Sequence, residues 1–333
     1  MTTSANELYG SPKRAISVIL PVLNEASHLE ESIHSIISQD FTGELEIVLA
    51  IGPSSDGTEL LANELAKKDS RIHIVSNPSG RTASALNLAI GSSHFPIIVR
   101  VDAHSEIPKN YLSLIFTILT ETGAVNVGGI MDAQGRSIFE RGVAHVMKSV
   151  FGVGASRFHT GGGAGEVDTV YLGAFRREAL MAINGYNEEF IRAQDWELNY
   201  RLRNAGGLVY FDPRLVVTYR PRSSLRALAK QYFNYGRWRR VVARTHKKTV
   251  NYRYLAPPIA VLGSFLSILL GSLVAPIFWI PVTLYILFIL FASTVIGKSF
   301  GEVICLPLIL LVMHFSWGLG FITSPKSLVP RAQ

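Results

Sequence analysis

Acidic side chains fall at several places in this chain where their spacing suits chemistry. Asp102-Ala103-His104 directly follows the apolar run Pro96–Val101, and a carboxylate at the end of a buried strand needs a partner. Hard divalent ions take carboxylate oxygens, and imidazole is an acceptable companion ligand for manganese. Asp102 and His104 are therefore a candidate metal pair, and a metal there would neutralise a diphosphate. Asn24 and Glu25 follow an earlier apolar run, and Asp56 follows another. Asn24 also suits a plain turn and Asp56 a helix N-cap, so both readings stay open. In AQDWELNYRLRNAGG the pattern predicts a helix ending at Gly206-Gly207, with Asp195 in its first turn. The helix dipole stabilises a carboxylate at that point. Asp195 is the best catalytic candidate. Glu197 is a second acid, either orienting a base or pairing with Arg201.

These side chains need a scaffold, and the periodicity supplies one. Ala15–Val22 is a continuous apolar run, as expected of a buried parallel strand. Leu29, Ile33, Ile36 and Ile37 then recur at helical spacing, with Ser27 and Glu30 as a capping box. A second strand, Leu45–Ile51, leads to GPSSDGT, where Asp56 and Glu59 can cap a helix over Thr58–Lys67. Arg71–Val75, a helix over Ala83–Ile90 and the strand Pro96–Val101 follow. Such alternation predicts an α/β domain, Rossmann-like with a mainly parallel sheet, whose ligands sit beyond the strands' carboxyl ends. Neither G-x-G-x-x-G nor G-x-x-x-x-G-K-[ST] is present, which argues against dinucleotide and P-loop sites. The run Gly161–Gly165 reads as a mobile loop closing over the site, with a plain linker as the alternative. His145 and His159 are lone histidines, more suited to structure than to metal.

Composition sets the context. The chain has 333 residues, 48% hydrophobic and only 17% charged, against about 25% charged in soluble domains. Its mean hydropathy is +0.26. Cys305 is the single cysteine, which excludes an internal disulfide and a cysteine zinc site. Met1–Lys13 is polar and lacks the apolar core of a signal peptide, so the chain is expected to start in the cytoplasm. Arg220–Arg253 holds eleven Lys/Arg and no acid, leaving 21 basic against 25 acidic residues elsewhere. Immediately after it, from Leu255 to Ile322, only Lys298 and Glu302 are charged. A membrane-spanning helix needs about 20 apolar residues, and the region divides into Leu255–Ala275, Pro276–Ile296 and Val303–Ile322. His314 falls in the third run and faces either helix packing or an acceptor's path. The basic stretch satisfies the positive-inside rule and places the N-terminal domain on the cytoplasmic side. Its aromatic residues Tyr232, Phe233, Tyr235 and Trp238 suit helices on an anionic bilayer better than a nucleic-acid groove. The expected organisation is thus a catalytic domain over 1–215, a basic amphipathic interface segment over 216–254, and about three transmembrane helices over 255–333.

The order VILPVLNE, SSDGT, RTASALNLAI, RVDAH resembles the family 2 glycosyltransferases of GT-A fold, particularly the succinoglycan-biosynthesis glucosyltransferases of the ExoA type. The likeness continues through GAFRRE (Gly173–Glu178), GYNEEFIRAQDWELNYRLRNAGG (Gly185–Gly207) and QYFNYGRWRR (Gln231–Arg240). It implies that the loop Pro21–Glu25, with Pro21, Asn24 and Glu25, binds the base and ribose together with Asp56. It implies that Asp102 and His104 stand at the D-x-D metal motif, holding Mn2+ or Mg2+, with His in place of the second acid. Gly52-Pro53 stands where many members carry two aspartates that help read the base. Arg81 and Asn87 would touch phosphate or ribose, although Asn87 also reads as a helix-surface residue. The resemblance makes Asp195 the general base, with Gln194 replacing the motif's Glu. Gln231, Arg237 and Trp238 resemble the Q-x-x-R-W region of membrane-bound polysaccharide synthases at longer spacing. They would contact the acceptor or grip a diphosphate, or else anchor the interface.

What the resemblance implies is a multi-pass enzyme of the inner membrane, its catalytic domain cytoplasmic. It would move a sugar, glucose in the first instance, from a UDP-sugar to a lipid-linked saccharide for exopolysaccharide or cell-envelope assembly. Such a donor carries an activated anomeric carbon, so one base and one cation suffice for single displacement with inversion. The alternatives are a polyprenyl-phosphate glycosyl transferase and, from another class, a non-catalytic membrane scaffold retaining a nucleotide-binding fold. A nucleic-acid binder and a transporter fit the charge distribution poorly.

Overall fold

The computed structural model describes residue 7 and residues 9–247 and 249–330, so residues 1–6 and 8 of the polar N-terminal stretch lie outside the described residues. The chain begins its regular structure with β1 (Ala15–Val22), α1 (Leu29–Ile37), β2 (Glu44–Ile51), α2 (Thr58–Lys68), β3 (Ile72–Ser76), α3 (Thr82–Gly91), β4 (Ile97–Arg100), α4 (Tyr111–Thr122) and β5 (Asn126–Ala133). An excursion follows through α5 (Ile138–Met147), α6 (Val150–Val153) and α7 (Arg157–Thr160). The chain returns in β6 (Gly165–Glu166), β7 (Tyr171–Arg176), α8 (Arg177–Ala182), α9 (Gln194–Asn204) and β8 (Val209–Tyr219). It ends in α10 (Leu225–Thr245), α11 (Ala256–Leu273), α12 (Ile280–Ile296) and α13 (Phe300–Ile322).

Two compact units result: residues 1–132 with 161–218, and residues 133–160 with 219–333. Ala133–Thr160 groups with the C-terminal helices and not with the sheet.

In the first unit the strand order is β3-β2-β1-β4-β7-β5-β8-β6. β1 pairs parallel with both β2 and β4, and β2 with β3. β7 pairs antiparallel with β4 and with β5. The apolar run of β1 is buried because helices cover both faces of a parallel sheet. Ile16, Val18, Leu20, Ile47, Leu49 and Val99 form the centre of the core, packed by Leu29, Ile33 and Ile36 of α1. The expected capping box on α1 is not used. Its N-cap is His28, one residue past Ser27 and without a side-chain cap, and the Glu25 carbonyl accepts the His28 and Leu29 N–H groups at 3.0 and 2.9 Å. Ser27 instead contacts the His28 ring at 2.9 Å.

The second unit is helical. A capping box does occur on α5, where Ser137 and Glu140 satisfy each other's backbone N–H groups. Ala256–Leu273, Pro276–Ile296 and Phe300–Ile322 are long and apolar enough to cross a membrane, within a few residues of the segments expected.

Candidate active site

Because β1, β2 and β4 run parallel, their carboxyl ends open on the same edge of the sheet. Pro21 is part of β1, paired with Ala50, and not of the loop beyond it. Asn24 adopts a left-handed φ of 55° and its Oδ1 accepts the Ser55 N–H at 2.9 Å. Asp56 accepts the Ala26 N–H at 3.1 Å and the Thr58 N–H and hydroxyl at 3.1 and 2.5 Å. The Thr58 hydroxyl, followed by these backbone bonds, outweighs burial and holds its carboxyl below the usual range. Asn24 and Asp56 thus tie the loops after β1 and β2 together. Glu25 reaches the loop after β4, its Oε1 lying 2.9 Å from His104 Nδ1.

Arg100, on β4, holds the centre. Its side chain is 7% exposed. Nε and Nη2 both donate to Asp102 Oδ1, at 3.0 and 2.9 Å. Nη1 donates to Asp195 Oδ1 at 2.5 Å. Burial opposes the guanidinium charge, but Asp102 and Asp195 outweigh it and hold Arg100 firmly protonated. Burial pushes the Asp195 carboxyl above the usual range; Arg100 opposes this and the charge of Asp102 adds to it. One side of Asp195 stays open to solvent, at 42% exposure. A carboxylate of raised basicity with an open face is suited to accept a proton. The buried phenol of Tyr186 beside it is also raised, by burial first and by Asp195 second. Ala193, the N-cap of α9, has a left-handed φ of 60°, a strained setting for a side chain and common at functional sites.

Sequence reasoning assigned Arg100 no role. The available signal was a charge inside the apolar run PIIVRVDA, since a buried arginine needs a carboxylate partner. Of the two readings of Glu197, the structure shows the pair with Arg201. Glu197 is 1% exposed, and both of its oxygens receive Arg201 at 2.8 Å. Arg201 in turn donates to the carbonyls of Ile183 and Gly185 at 2.6 and 2.7 Å. Asn87 is engaged within the chain as well. Its amide pairs with the Tyr186 backbone N–H and C=O at 2.8 and 2.9 Å, and with Glu188 at 2.9 Å. Asn87 and the Glu197–Arg201 pair therefore brace the segment leading to Asp195.

Arg81 is the N-cap residue of α3. With Leu23, Gly80, Glu188, Phe190 and Arg192 it lines a cavity of about 200 Å³. The N-terminus of a helix beside Arg81 and Arg192 suits a phosphate. No group of three or more His, Cys, Asp or Glu ligands assembles among the described residues. Asp102 with His104 is thus a sparse set, and it fits a hard divalent ion shared with phosphate oxygens better than a closed protein cage.

Elsewhere, Gly165 and Glu166 pair with Phe211 and Tyr210 of β8, so that end of the glycine run is strand and not loop. Burial drops the His159 imidazole to about 4, and His145 sits 3.2 Å from Glu302; both are structural. His314 is held by Tyr285 Oη at 3.1 Å and the Phe151 carbonyl at 2.8 Å, which is helix packing. Gln231, Arg237 and Trp238 all lie in the second unit. Gln231 donates to the hydroxyls of Tyr219 and Tyr235 at 2.9 and 2.7 Å. Arg237 lies over Phe233, 4.7 Å from the ring centroid, and Trp238 is 5% exposed.

Comparison with known proteins agrees with this arrangement. The sequence profile described as Glycosyl transferase family 2 matches residues 17–183. The succinoglycan biosynthesis protein ExoA of Rhizobium meliloti is 31% identical over 91% of this chain and 93% of its own length. The GalNAc(5)-diNAcBac-PP-undecaprenol beta-1,3-glucosyltransferase of Campylobacter jejuni is 26% identical over 53% of this chain and 55% of its own. Among solved structures, a mannosyltransferase from Pyrobaculum calidifontis in complex with GDP-Man and Mn2+ superposes with a TM-score of 0.60. It shares 18% identity over 94% of this chain and 88% of its own, which bears out the GT-A fold.

Proposed function

Because the chain belongs to glycosyl transferase family 2, we propose that it is an inverting hexosyltransferase of the inner membrane, its catalytic domain on the cytoplasmic face. It takes glucose from a UDP-sugar and gives it to a lipid-linked saccharide in exopolysaccharide or cell-envelope assembly. The observation that carries this reading is Arg100, which pins Asp102 and Asp195 to a single guanidinium beyond the parallel strands. It sets an acid for the leaving group beside an acid for the nucleophile. The names of the Rhizobium and Campylobacter relatives support polysaccharide assembly, a diphosphate-linked lipid acceptor and glucose.

In this mechanism the nucleotide lies against the loops tied by Asn24, Glu25 and Asp56. Arg81 and the first N–H groups of α3 face its phosphates. Asp195 accepts the proton of the acceptor hydroxyl as that oxygen bonds to the anomeric carbon. The bond from that carbon to the diphosphate oxygen breaks on the opposite face, which inverts the configuration. Asp102 with His104 would hold a divalent cation, Mn2+ or Mg2+, which when bound supplies charge neutralisation at the departing diphosphate.

The test is thermal stabilisation of detergent-purified protein by UDP, GDP and CDP and their sugars, with and without Mn2+, beside Asp102→Ala. Metal-dependent stabilisation by UDP alone, abolished in the variant, is expected. No stabilisation by any nucleotide at millimolar concentration would remove the transferase reading.

A further inference from the structure

By length alone, α11–α13 read as three crossings, which would carry the C-terminus to the far side of the bilayer. Contacts inside the second unit oppose this. Helix α5 has ten residues, about 15 Å at 1.5 Å per residue, roughly half a hydrocarbon core. The chain enters it from β5 and returns to β6, so α5 stays on the side of the catalytic domain. The first turn of α13 is fastened to α5. Glu302, 3% exposed, pairs with Arg141 at 3.3 Å and His145 at 3.2 Å. A Cβ on Gly142 would stand 2.9 Å from Ile309 Cδ1, so the two helices touch closely.

The far end of α13 is fastened to α10, which precedes every apolar helix and carries much of the basic cluster. A Cβ on Gly236 of α10 would fall 1.9 Å from the Trp317 carbonyl, and one on Gly320 of α13 2.0 Å from the Phe233 carbonyl. Just beyond α13, Arg244 donates to the Ser324 carbonyl at 2.9 Å, and Ser324 Oγ to the Arg237 carbonyl at 3.0 Å. Helix α13 has 23 residues, a rod of about 35 Å. With both ends held by elements of one side, it cannot stand across the membrane. Between α10 and α13 the chain makes an antiparallel pair. Ser267 of α11 donates to the Phe278 carbonyl at 2.5 Å and accepts the Val282 N–H at 3.1 Å. Outward from these helices, Phe265, Leu273, Phe291 and Phe300 are 64%, 75%, 61% and 82% exposed, as a lipid-facing surface requires. Residues 219–301 contain no Asp or Glu, which suits an anionic leaflet.

We propose that α13 lies in the plane of the membrane beneath α5 and α10, while α11 and α12 enter and leave the bilayer as a hairpin. The C-terminal segment after Ile322 is therefore on the side of the catalytic domain. The inference rests on the proposed membrane attachment and replaces the expected odd number of crossings with an even one.

The experiment uses inner-membrane vesicles of both orientations and a Cys305→Ser background. Single cysteines are introduced as Lys326→Cys and, on the exposed surface of the first unit, Ser70→Cys. Both should react with a membrane-impermeant maleimide in the same vesicle orientation. Labelling of Lys326→Cys only where Ser70→Cys is protected overturns the proposal. Sugar transfer to lipid is measured in the same vesicles and reports the enzymatic reading separately. Inactive vesicles with both thiols on one side keep the topology and lose the transferase; active vesicles with opposed thiols do the reverse.

Discussion

Replacing Arg100 by methionine removes a guanidinium that makes three hydrogen bonds to two carboxylates and leaves a chain of similar length. Breaking a buried ion pair by deleting one partner costs about 3–5 kcal/mol. Asp102 and Asp195 are 20% and 42% exposed, so water screens part of the loss and the expected cost is about 2–3 kcal/mol. At about 2–4 °C of Tm per kcal/mol, this predicts a fall of about 4–12 °C. The sharper consequence is on pH dependence. Arg100 opposes the upward displacement of Asp195, so its removal lets Asp195 protonate at higher pH. The acid limb of kcat/KM in Arg100→Met should therefore move to higher pH, because the nearby positive charge no longer favours the carboxylate, measured as sugar transfer across a pH series. A variant with the expected Tm loss and an unmoved acid limb would refute the assignment of Asp195 as the base.

Asp195→Asn should lower kcat by about 10²–10⁴-fold while nucleotide binding by calorimetry stays within a few-fold. Asn87→Ala should lose about 2 kcal/mol in denaturant unfolding from the bonds to Tyr186, with nucleotide affinity kept, whereas a ligand-binding Asn87 would lose affinity. Glu46 is held below the usual range: burial would raise it, but the His94 N–H, the Ser17 hydroxyl and the His94 ring prevail. Its stabilising contribution is present above its unfolded pKa and lost as pH falls through the lower folded value. Glu46→Gln should therefore cost about 1–2 kcal/mol at pH 7 and flatten the acid side of the stability curve as pH falls below the ordinary carboxylate range. Gly236→Ala places a methyl 1.9 Å from the Trp317 carbonyl. It should separate α10 from α13, seen as a lower yield of monodisperse protein in detergent, while Gly263→Ala, with open space around its Cβ, should be silent.

Much of this molecule follows from local pattern. The run Ala15–Val22 is β1 to the residue, because a parallel strand covered on both faces is almost wholly apolar, and its polar Ser17 is buried against Glu46. The helix carrying Asp195 and the three apolar helices were equally legible, since periodicity and length report which surfaces must leave water. What local pattern does not report is the partner. Glu197 had two roles open from its sequence, and the fold chose Arg201 by burying both. Ser27 lost its capping role because the helix starts one residue later, with His28 at its N-cap. Asn87 meets Tyr186, and Arg100 meets Asp195, across about a hundred residues. Such meetings depend on the order in which strands join the sheet, which no window of sequence contains. The same holds for α13: its composition makes it apolar enough to cross a membrane, but only the tertiary structure sets its two ends against α5 and α10. Burial is a property of each residue's own chemistry, whereas pairing belongs to the topology that brings distant residues together.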